Sequence, residues 1–448
     1  MKRRLAAALV LAAAVTASAQ APQAAETFDA VWKIVRDHHF DPSFDVAQWD
    51  RVRAQLRPRA VAAANPGELR RVLKDMLGRL GLSHFAVIPS TPDSPSDRTD
   101  HRGQPGFDVR FIDSQMVVTA VDPDGGAAAA GVKPGWIVRA IGGVPIAGAL
   151  AEVTQGASER VAQLEAWRIT LSRLRGPAGS VAEVTFVDGA GGAVTKMLRR
   201  QSEPGEPVTV GNLPTMYVRV SSSVARTPAG AQAGVIGFNV WMTPVNPPFQ
   251  QAIDRFRLAD GIVIDLRGNP GGLAAMIMGI AGHFLNERLT LGVMKTKDSE
   301  LKFVAIPRLV NGGGERVDPY AGPVAILEDG LTGSASECFA GGMQSLGRAR
   351  VFGQTSMGQA LPALFDKLPN GDVLIHAWGD FVTGTGVRIE GRGVVPDEPV
   401  PTTRADLLAG RDRPLEAALA WIDRSRHGQT GQYPGGVTVA LARGPLVN

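Results

Sequence analysis

The organisation of this chain follows from one stretch, Gly330-Leu331-Thr332-Gly333-Ser334-Ala335-Ser336-Glu337. The apolar run at 323–327 has the length of a buried strand, and residues 335–343 favour a helix, so Ser334 is predicted at a strand-to-helix turn. Backbone N–H groups at a helix start are unpaired and can stabilise an oxyanion, so this position suits a nucleophile. The alternative is that Ser334 caps the helix and Glu337 completes a capping box. Because that pattern is common at helix starts, the stretch by itself favours the cap.

Composition excludes several function classes. The chain has 448 residues, of which 44% are hydrophobic and 20% charged, as in soluble proteins of two or three domains. A net charge of only +4 indicates no nucleic-acid partner. Cys338 is the single cysteine, so no internal disulfide can form. The histidines lack metal-ligand spacing such as H-E-x-x-H, so we expect neither a metal nor another cofactor.

The first residues have the pattern of a secretory signal peptide, predicted at 1–19. Three basic residues at 2–4 precede an apolar run at 5–15, and Ala17-Ser18-Ala19 matches a cleavage site. No second apolar run is long enough to cross a bilayer. We therefore expect an exported, periplasmic protein of a bacterium that is soluble after cleavage. The Gly- and Pro-rich segment 426–448 is predicted to be a loosely ordered tail.

Residues 26–100 are predicted to form a helical N-terminal domain. An amphipathic helix should start at Asn65-Pro66 and stop at Gly81, because six apolar residues between them follow helical spacing: Leu69, Val72, Leu73, Met76, Leu77 and Leu80. Ser83 and His84 follow the stop, before a possible strand at 85–88. A histidine in such a place is more often structural than catalytic, so the local pattern does not assign it a role.

Residues 103–200 resemble a PDZ domain. A strand, a small-residue helical turn, the run Gly131-Val132-Lys133-Pro134-Gly135 and a further strand lead to a Gly142-Gly143 hairpin. In PDZ domains a glycine-rich loop before a strand presents backbone N–H groups to a peptide C-terminus, and Gly106-Phe107 would be that loop. The alternative is a small β-barrel that only spaces two domains.

Residues 208–425 alternate between strands and helices. The strand predicted at 261–267 is almost unbroken in its apolar character, which argues for a parallel sheet covered on both faces. The glycine-rich turn at 268–272 follows it, and a helix is predicted at 273–285. Because the turn around Ser334 repeats this plan, the two turns could lie side by side at the C-terminal edge of one sheet. A tight turn without a ligand remains the alternative for 268–272. Further along, the sequence predicts strands at 363–365, 373–375 and 380–382 joined by an Asn370-Gly371 hairpin turn, and a short C-terminal helix at 414–422.

Three ordered motifs together resemble the C-terminal processing peptidase family, which includes tail-specific proteases and the tricorn core. They are DLRGNPGG at 265–272, GSASE at 333–337 and GRGVVPD at 391–397. The resemblance covers residues 26 to 425 approximately. It implies a multi-domain α/β protein with a helical N-domain, a PDZ-like β domain and a crotonase-like (ClpP/crotonase) α/β core. It also implies a serine endopeptidase that acts on protein or peptide substrates with free C-termini.

The family resemblance also implies catalytic residues. In the tail-specific branch the nucleophilic serine pairs with a lysine in a T-F-G-K-G element, but Gln359 stands at that place here. The tricorn-type branch uses Ser-His-Ser-Glu instead. Carried over to this chain, Ser334 is the nucleophile and His84 its base. Ser83 and Glu390 then orient and polarise the base.

Other parts of the site remain open at this stage. The oxyanion would be bound by the N–H of Ala335 and by that of Gly271 or Gly272. Lys367 is an alternative base, eight residues beyond Gln359. A catalytically silent peptide- or lipid-binding protein on the same fold is the competing function, because the resemblance extends to the interphotoreceptor retinoid-binding protein. The sequence indicates neither the natural substrate nor the oligomeric state.

Overall fold

The computed structural model describes residues 23–90, 103–155, 158–210 and 215–428. The predicted signal peptide lies outside these residues, as do positions 91–100 of the predicted N-terminal domain and positions 429–448 of the predicted tail. Within the described ranges, no helix has both the length and the apolar character needed to cross a membrane.

The N-terminal part is helical, as predicted. Helix α1 covers residues 23–38, followed by α2 (Val46–Val61), α3 (Pro66–Gly78) and the short strand β1 (Ala86–Ile88). Helix α3 starts where its capping signal predicts, because the Asn65 side chain accepts the N–H of Glu68. Its periodic apolar residues are buried against α1 and α2 around Phe28 and Trp49. This apolar face therefore fixes α3, and with it the segment that leads to Ser83 and His84.

The second part is a mostly antiparallel β structure. Its strands are β2 (Gly103–Gln104), β3 (Phe107–Ile112), β4 (Gln115–Val121), β5 (Ile137–Ile141), β6 (Val144–Pro145), β7 (Val181–Val187), β8 (Ala193–Arg199), β9 (Gln201–Ser202) and β10 (Glu206–Val208). Its helices are α4 (Gly126–Ala129), α5 (Ala147–Thr154) and α6 (Glu159–Leu174). The main sheet has the order β3-β4-β5-β7-β8, so β3 is an edge strand. Strand β8 follows β7 at the end of the main sheet, and it has little sequence signal because Leu198 is its one buried residue.

The third part is built on a parallel sheet. Its strands are β11 (Met216–Val218), β12 (Val220–Arg226), β13 (Gln232–Phe238), β14 (Gly261–Asp265), β15 (Leu289–Lys295), β16 (Glu300–Ala305), β17 (Val324–Glu328), β18 (Arg350–Gly353), β19 (Ala363–Lys367), β20 (Val373–Ala377), β21 (Asp380–Thr383) and β22 (Glu398–Pro399). Its helices are α7 (Asn246–Arg255), α8 (Met276–Ala281), α9 (Ala335–Ser345), α10 (Arg404–Leu408) and α11 (Arg413–Gly428). The central sheet has the order β12-β13-β14-β17-β18-β22, and all its pairings are parallel except that of β12 with β13.

Both faces of this sheet are covered, as the unbroken apolar strands predict. In β14, Ile262 and Ile264 face a core formed with α7 and α9, whereas Val263 faces a second core formed with α11. Successive residues of a strand point to opposite faces, so a sheet buried on both faces needs apolar residues at every position.

The structure differs from the sequence prediction at three helices or strands. The helix expected at 273–285 is only α8, because a Cβ at Gly282 would meet the carbonyl oxygen of Ile306 at 2.3 Å and the helix ends where that segment passes. Helix α11 is longer than the predicted 414–422 and runs to Gly428. The Asn370-Gly371 hairpin joins β19 and β20 as predicted, but β21 pairs with β15 in another sheet.

The β19–β20 hairpin also connects the N-terminal part to the third part. Strand β1 pairs antiparallel with β20, with Ala86 opposite Ile375 and Ile88 opposite Val373. Because His84 lies two residues before β1, this pairing brings it to the loops of the central sheet.

Candidate active site

Ser334 has a backbone conformation that L-residues rarely adopt. It follows β17 and starts α9, with φ of 53° and ψ of −118°. Ser334 is the N-cap of α9 and Glu337 completes a capping box, as the local pattern favours, but Ser334 lacks the extended backbone of an ordinary N-cap residue. Such conformations cost about 1–3 kcal/mol and cluster at functional sites, where the surrounding structure enforces them.

Glu337 enforces the Ser334 turn. The Ser334 N–H donates to Glu337 Oε2 at 2.9 Å and also to the Gln359 carbonyl at 2.9 Å. The same carboxyl group accepts the N–H of Gln359 at 3.0 Å, the N–H of Gly358 at 2.6 Å and the Ser356 hydroxyl at 2.5 Å. Burial raises the pKa of Glu337 to about 7, although these donors favour the carboxylate. Sequence reasoning treated Glu337 as a helix cap only, whereas it binds the turn to the loop before β19.

The two glycine-rich turns lie side by side. A Cβ on Gly271 would lie 2.5 Å from the Cβ of Ser334 and 3.0 Å from the nitrogen of Ala335. The Gly271 N–H is already donated to Asn269 Oδ1 at 3.0 Å. The N–H groups of Gly272 and Ala335 have no partner among the described residues. Of the two glycines that the sequence left open, Gly272 therefore has the N–H available for an oxyanion.

His84 is connected to Glu390 through Ser83. The Ser83 N–H donates to Glu390 Oε1 at 2.9 Å, and its hydroxyl donates to Oε2 at 2.9 Å. Ser83 Oγ lies 2.7 Å from His84 Nδ1. An ionised carboxylate only accepts, so the Ser83 proton points to Glu390 and Oγ accepts the Nδ1–H of His84. The neutral ring then has its proton on Nδ1 and a free lone pair on Nε2. A base that acts through Nε2 requires this tautomer.

The surroundings of His84 keep it neutral. Burial lowers the pKa of His84 to about 4, because removing the imidazolium from water is unfavourable. Its backbone, like that of Ser334, has a positive φ, here 57°. Both candidate reacting side chains are thus held by strained backbone.

One peptide unit separates the Ser334 and Glu390 hydrogen-bond networks. Glu390 Oε2 accepts the Ala360 N–H at 3.0 Å, and the preceding carbonyl, that of Gln359, accepts the N–H of Ser334. The Gln359–Ala360 peptide therefore contacts Ser334 with its carbonyl and, with its N–H, the carboxylate that holds Ser83 beside His84. Within the part of the chain that the structure describes, no hydrogen bond joins the Ser334 hydroxyl to the His84 ring. Such contacts are often long before substrate binds, so this does not exclude the pair.

The remaining predicted residues lie elsewhere. Gln359 uses its backbone in the site, while its side chain has no hydrogen bond among the described residues. Lys367 is exposed at the far end of β19, next to the Asn370-Gly371 turn. Gly106, with φ of 84°, and the buried Phe107 lie at the start of β3 in the second part of the chain.

Two arginines that sequence reasoning missed connect the second part to the site. Arg110 on β3 donates from Nε to Asp329 Oδ2 at 2.6 Å, and Asp329 Oδ1 accepts the N–H of Gly268 at 2.9 Å. Arg160 on α6 donates to the carbonyl groups of Gly391 and Arg392, next to Glu390. No local pattern could have indicated these contacts, because each arginine meets its partners more than 200 positions away in sequence.

Comparisons with known proteins agree with this architecture. Residues 232–400 match the model of peptidase family S41, and residues 21–78 match the tricorn protease C1 domain. The chain carries a peptidase family S41 domain. Tricorn protease homolog 1 from Streptomyces coelicolor is 24% identical over 405 residues, covering 88% of this chain but 34% of that protein. This chain thus spans about a third of the length of that relative.

Other relatives extend the similarity along the chain. The chloroplastic carboxyl-terminal-processing peptidase 3 of Arabidopsis thaliana is 23% identical over 415 residues, covering 90% of this chain and 74% of that protein. The solved structure of a photosystem II D1 C-terminal processing protease superposes with a TM-score of 0.55 at 23% identity, covering 84% of this chain and 93% of the other. The family resemblance inferred from the motifs is confirmed, and so is the assignment of this domain to the peptidases.

Proposed function

We propose that this chain is an exported serine endopeptidase that cleaves proteins or peptides through an acyl-enzyme intermediate. The observation that carries the proposal is the hydrogen-bond network from Glu390 through Ser83 to His84, one peptide unit away from the strained Ser334. An oriented base beside an activated hydroxyl, with free N–H groups next to it, is the arrangement that acyl transfer requires.

Each of these groups has its own step in the proposed reaction. Ser334 Oγ attacks the substrate carbonyl carbon while His84 Nε2 takes the hydroxyl proton. The N–H groups of Ala335 and Gly272 bind the resulting oxyanion. The C–N bond then breaks, and His84 gives the proton to the leaving amine. Water attacks the acyl-enzyme with the same base, which releases the acid product and restores Ser334. Ser83 and Glu390 hold the ring and stabilise the imidazolium that forms transiently.

We further propose that residues 103–200 are a PDZ-like domain that binds substrate C-termini. Two features support this: β3 is an edge strand of its sheet, and Gly106 supplies a positive φ directly before it. An extended peptide can add to such an edge while its carboxylate meets backbone N–H groups of the loop at Gly106-Phe107. In this proposal residues 26–100 form the helical N-domain and residues 208–425 a crotonase-like core. The predicted signal peptide supports a periplasmic location.

Active-site labelling tests the nucleophile and the base together. The protein without residues 1–19 should react covalently with a fluorophosphonate and degrade an unstructured protein. Ser334→Ala should abolish both reactions, and His84→Ala should slow both strongly. Ser345→Ala in α9 and His38→Ala in α1 are matched controls outside the network, and they should react at the wild-type rate. Labelling that persists in Ser334→Ala would contradict the proposal.

A silent binding protein is the second candidate. It is favoured by Gln359 in place of the family lysine and by the unformed hydrogen bond between Ser334 and His84 among the described residues. In that case wild type would neither label nor degrade substrate, yet it would bind a peptide with a free C-terminus more tightly than the same peptide amidated.

A further inference from the structure

We propose that Asp372, with Arg70 and Ser90, positions the candidate base His84 by anchoring the far end of the segment that carries it. The inference rests on the proposed function, since it concerns how His84 is held for the reaction. None of the three residues touches Ser334 in the described contacts, so they are positioning residues rather than catalytic ones.

Carboxylates hold the segment 83–90 at both of its ends. At its start, the N–H and hydroxyl of Ser83 donate to Glu390. At its end, the N–H and hydroxyl of Ser90 donate to Asp372 Oδ1 at 2.8 and 3.0 Å. Both serines therefore use the same pair of donors, and His84 lies between the two anchors.

The strand between these anchors is too short to fix the segment by itself. Strand β1 has three residues and pairs with β20 alone among the described strands. A short ladder of this kind supplies few hydrogen bonds and little side-chain packing. His84 also has a positive φ, so its local conformation is imposed from outside. The anchor at Ser90 thus fixes the position of the far end of strand β1, which follows the candidate base.

Arg70 fixes the carboxylate that binds Ser90. Its Nε and Nη2 donate to Asp372 Oδ2 and Oδ1 at 2.8 and 2.6 Å, a two-pronged contact that holds the plane of the carboxyl group. The Asp372 side chain is fully buried, and Arg70 is 8% exposed. Burial raises the pKa of Asp372, but donors from Arg70, Ser90 and Asn370 outweigh this effect and lower it overall. Asp372 is therefore ionised, and its oxygens accept from all three residues.

The Arg70–Asp372 pair is better explained by how it orients neighbouring groups than by a gain in the free energy of unfolding. A buried ion pair must offset the loss of hydration of both ions, and a well-packed apolar pair of similar volume is often at least as stable. What the ion pair adds is an oriented acceptor for Ser90 that joins helix α3 to the β19–β20 hairpin. The loop before that hairpin contains the Gln359–Ala360 peptide that contacts both Ser334 and Glu390. The segment that carries the candidate base His84 and the turn at Ser334 thus both contact the β19–β20 hairpin or the loop directly before it.

Two single substitutions and one matched control test the role of this anchor. Asp372→Asn should lower kcat and the rate of fluorophosphonate labelling by about 10²-fold with little change in KM, because a displacement of about 1 Å has that effect on reacting groups. The NH2 group of the amide would face the donors of Ser90 and Arg70 at the place of Oδ1, or those of Arg70 and Asn370 at the place of Oδ2, so one set of hydrogen bonds is lost. Ser90→Ala, which removes one hydroxyl, should lower the same rates by several-fold. The matched control is Asp75→Asn, since Asp75 on α3 pairs with Arg59 at 2.7 Å and should leave the rates unchanged.

A double variant separates positioning from a general loss of stability. If Asp372 acts through the base, His84→Ala combined with Asp372→Asn should label no more slowly than His84→Ala alone. The inference would be overturned if the decreases in labelling rate of the two single variants multiplied in the double variant. It would also be overturned if Asp372→Asn and Ser90→Ala labelled at the wild-type rate. Should Asp372→Asn fail to fold, the rate of Ser90→Ala decides.

The same measurements distinguish this inference from the proposed function. If wild type labels at Ser334 in a His84-dependent way and both anchor variants label at the full rate, the positioning inference fails while the proposed peptidase function stands. Wild type that does not label would remove both.

Discussion

At the scale of single residues, the candidate site depends on glycines, which have no side chain, as well as on its functional side chains. Gly271 packs against the Cβ of Ser334, and its φ of 105° is in a region that favours glycine. Which of Gly271 and Gly272 keeps an N–H without a partner among the described residues could not be predicted from the sequence. It depends on Asn269, whose side chain takes the Gly271 N–H.

We predict that Gly271→Ala inactivates the protein. Its methyl group would need space 2.5 Å from Ser334 Cβ, so one of the two turns must move and the oxyanion donors must separate. The loss of one such donor alone costs about 10²- to 10³-fold in kcat, and we expect at least that. Gly279→Ala in α8 is the control, since a Cβ there meets nothing within 4 Å. Near-normal labelling of Gly271→Ala would show that Gly271 and Ser334 are not packed together in the active form.

The pH dependence of activity should have an unusually acidic limb. Burial lowers the pKa of His84 from 6.5 to about 4, so the base should stay neutral, and kcat/KM should hold, until the pH falls to about 4. In the same window the unfolded chain binds more protons than the folded one, so the free energy of unfolding should rise between pH 4 and 6.5. A pH–rate profile and urea titrations measure both. An acidic limb near pH 6.5 would mean that Glu390 stabilises the imidazolium as much as burial disfavours it.

At the scale of helices and strands, the parts with strong periodic patterns were predictable. Helix α3, strand β14 and the strand-turn-helix around Ser334 all follow their sequence signals, because each buries apolar residues at the spacing of its own geometry. Strand β8 and the early end of α8 were not predictable. The first is mostly exposed, and the second ends where the segment at Ile306 passes, which depends on tertiary packing.

Glu337 joins two of these elements, so its substitution should affect the site without removing the fold. In Glu337→Gln an NH2 group replaces one carboxylate oxygen. At the place of Oε2 it would face the N–H groups of Ser334 and Gln359, and at the place of Oε1 it would face the Ser356 hydroxyl and the Gly358 N–H. We expect kcat to fall by 10-fold or more, and the free energy of unfolding to fall by about 1–3 kcal/mol. Glu300→Gln on the exposed strand β16 is the control. Kinetics and urea unfolding provide the two measurements, and unchanged kcat would contradict the role of Glu337.

At the scale of the whole molecule, the site is assembled from all three parts of the chain. His84 comes from the helical N-terminal part, and Ser334 and Glu390 come from the parallel-sheet part. Arg110 and Arg160 of the β-rich part contact residues next to the site. The hydrogen bonds bring together residues that the family resemblance selects from distant motifs, and the roles assigned to these residues stay predictions. The contacts of the β-rich part could not be predicted, since an arginine on a strand has no pattern that names a distant partner.

Arg110 should therefore matter to a site that it does not touch directly. Burial raises the pKa of Asp329, but the Arg110 charge outweighs it and keeps the pKa low, so Asp329 is an anion that also holds the N–H of Gly268. Replacing Arg110 with Met would leave this anion largely buried without its cation, which should cost about 3 kcal/mol of unfolding free energy. The turn at 268–272 should loosen, so kcat should fall more than KM rises. Arg168→Met on α6, whose ion pair with Glu165 is exposed, is the matched control. If Arg110→Met unfolds at the wild-type urea midpoint and retains kcat, the β-rich part is not held to the oxyanion turn by this pair.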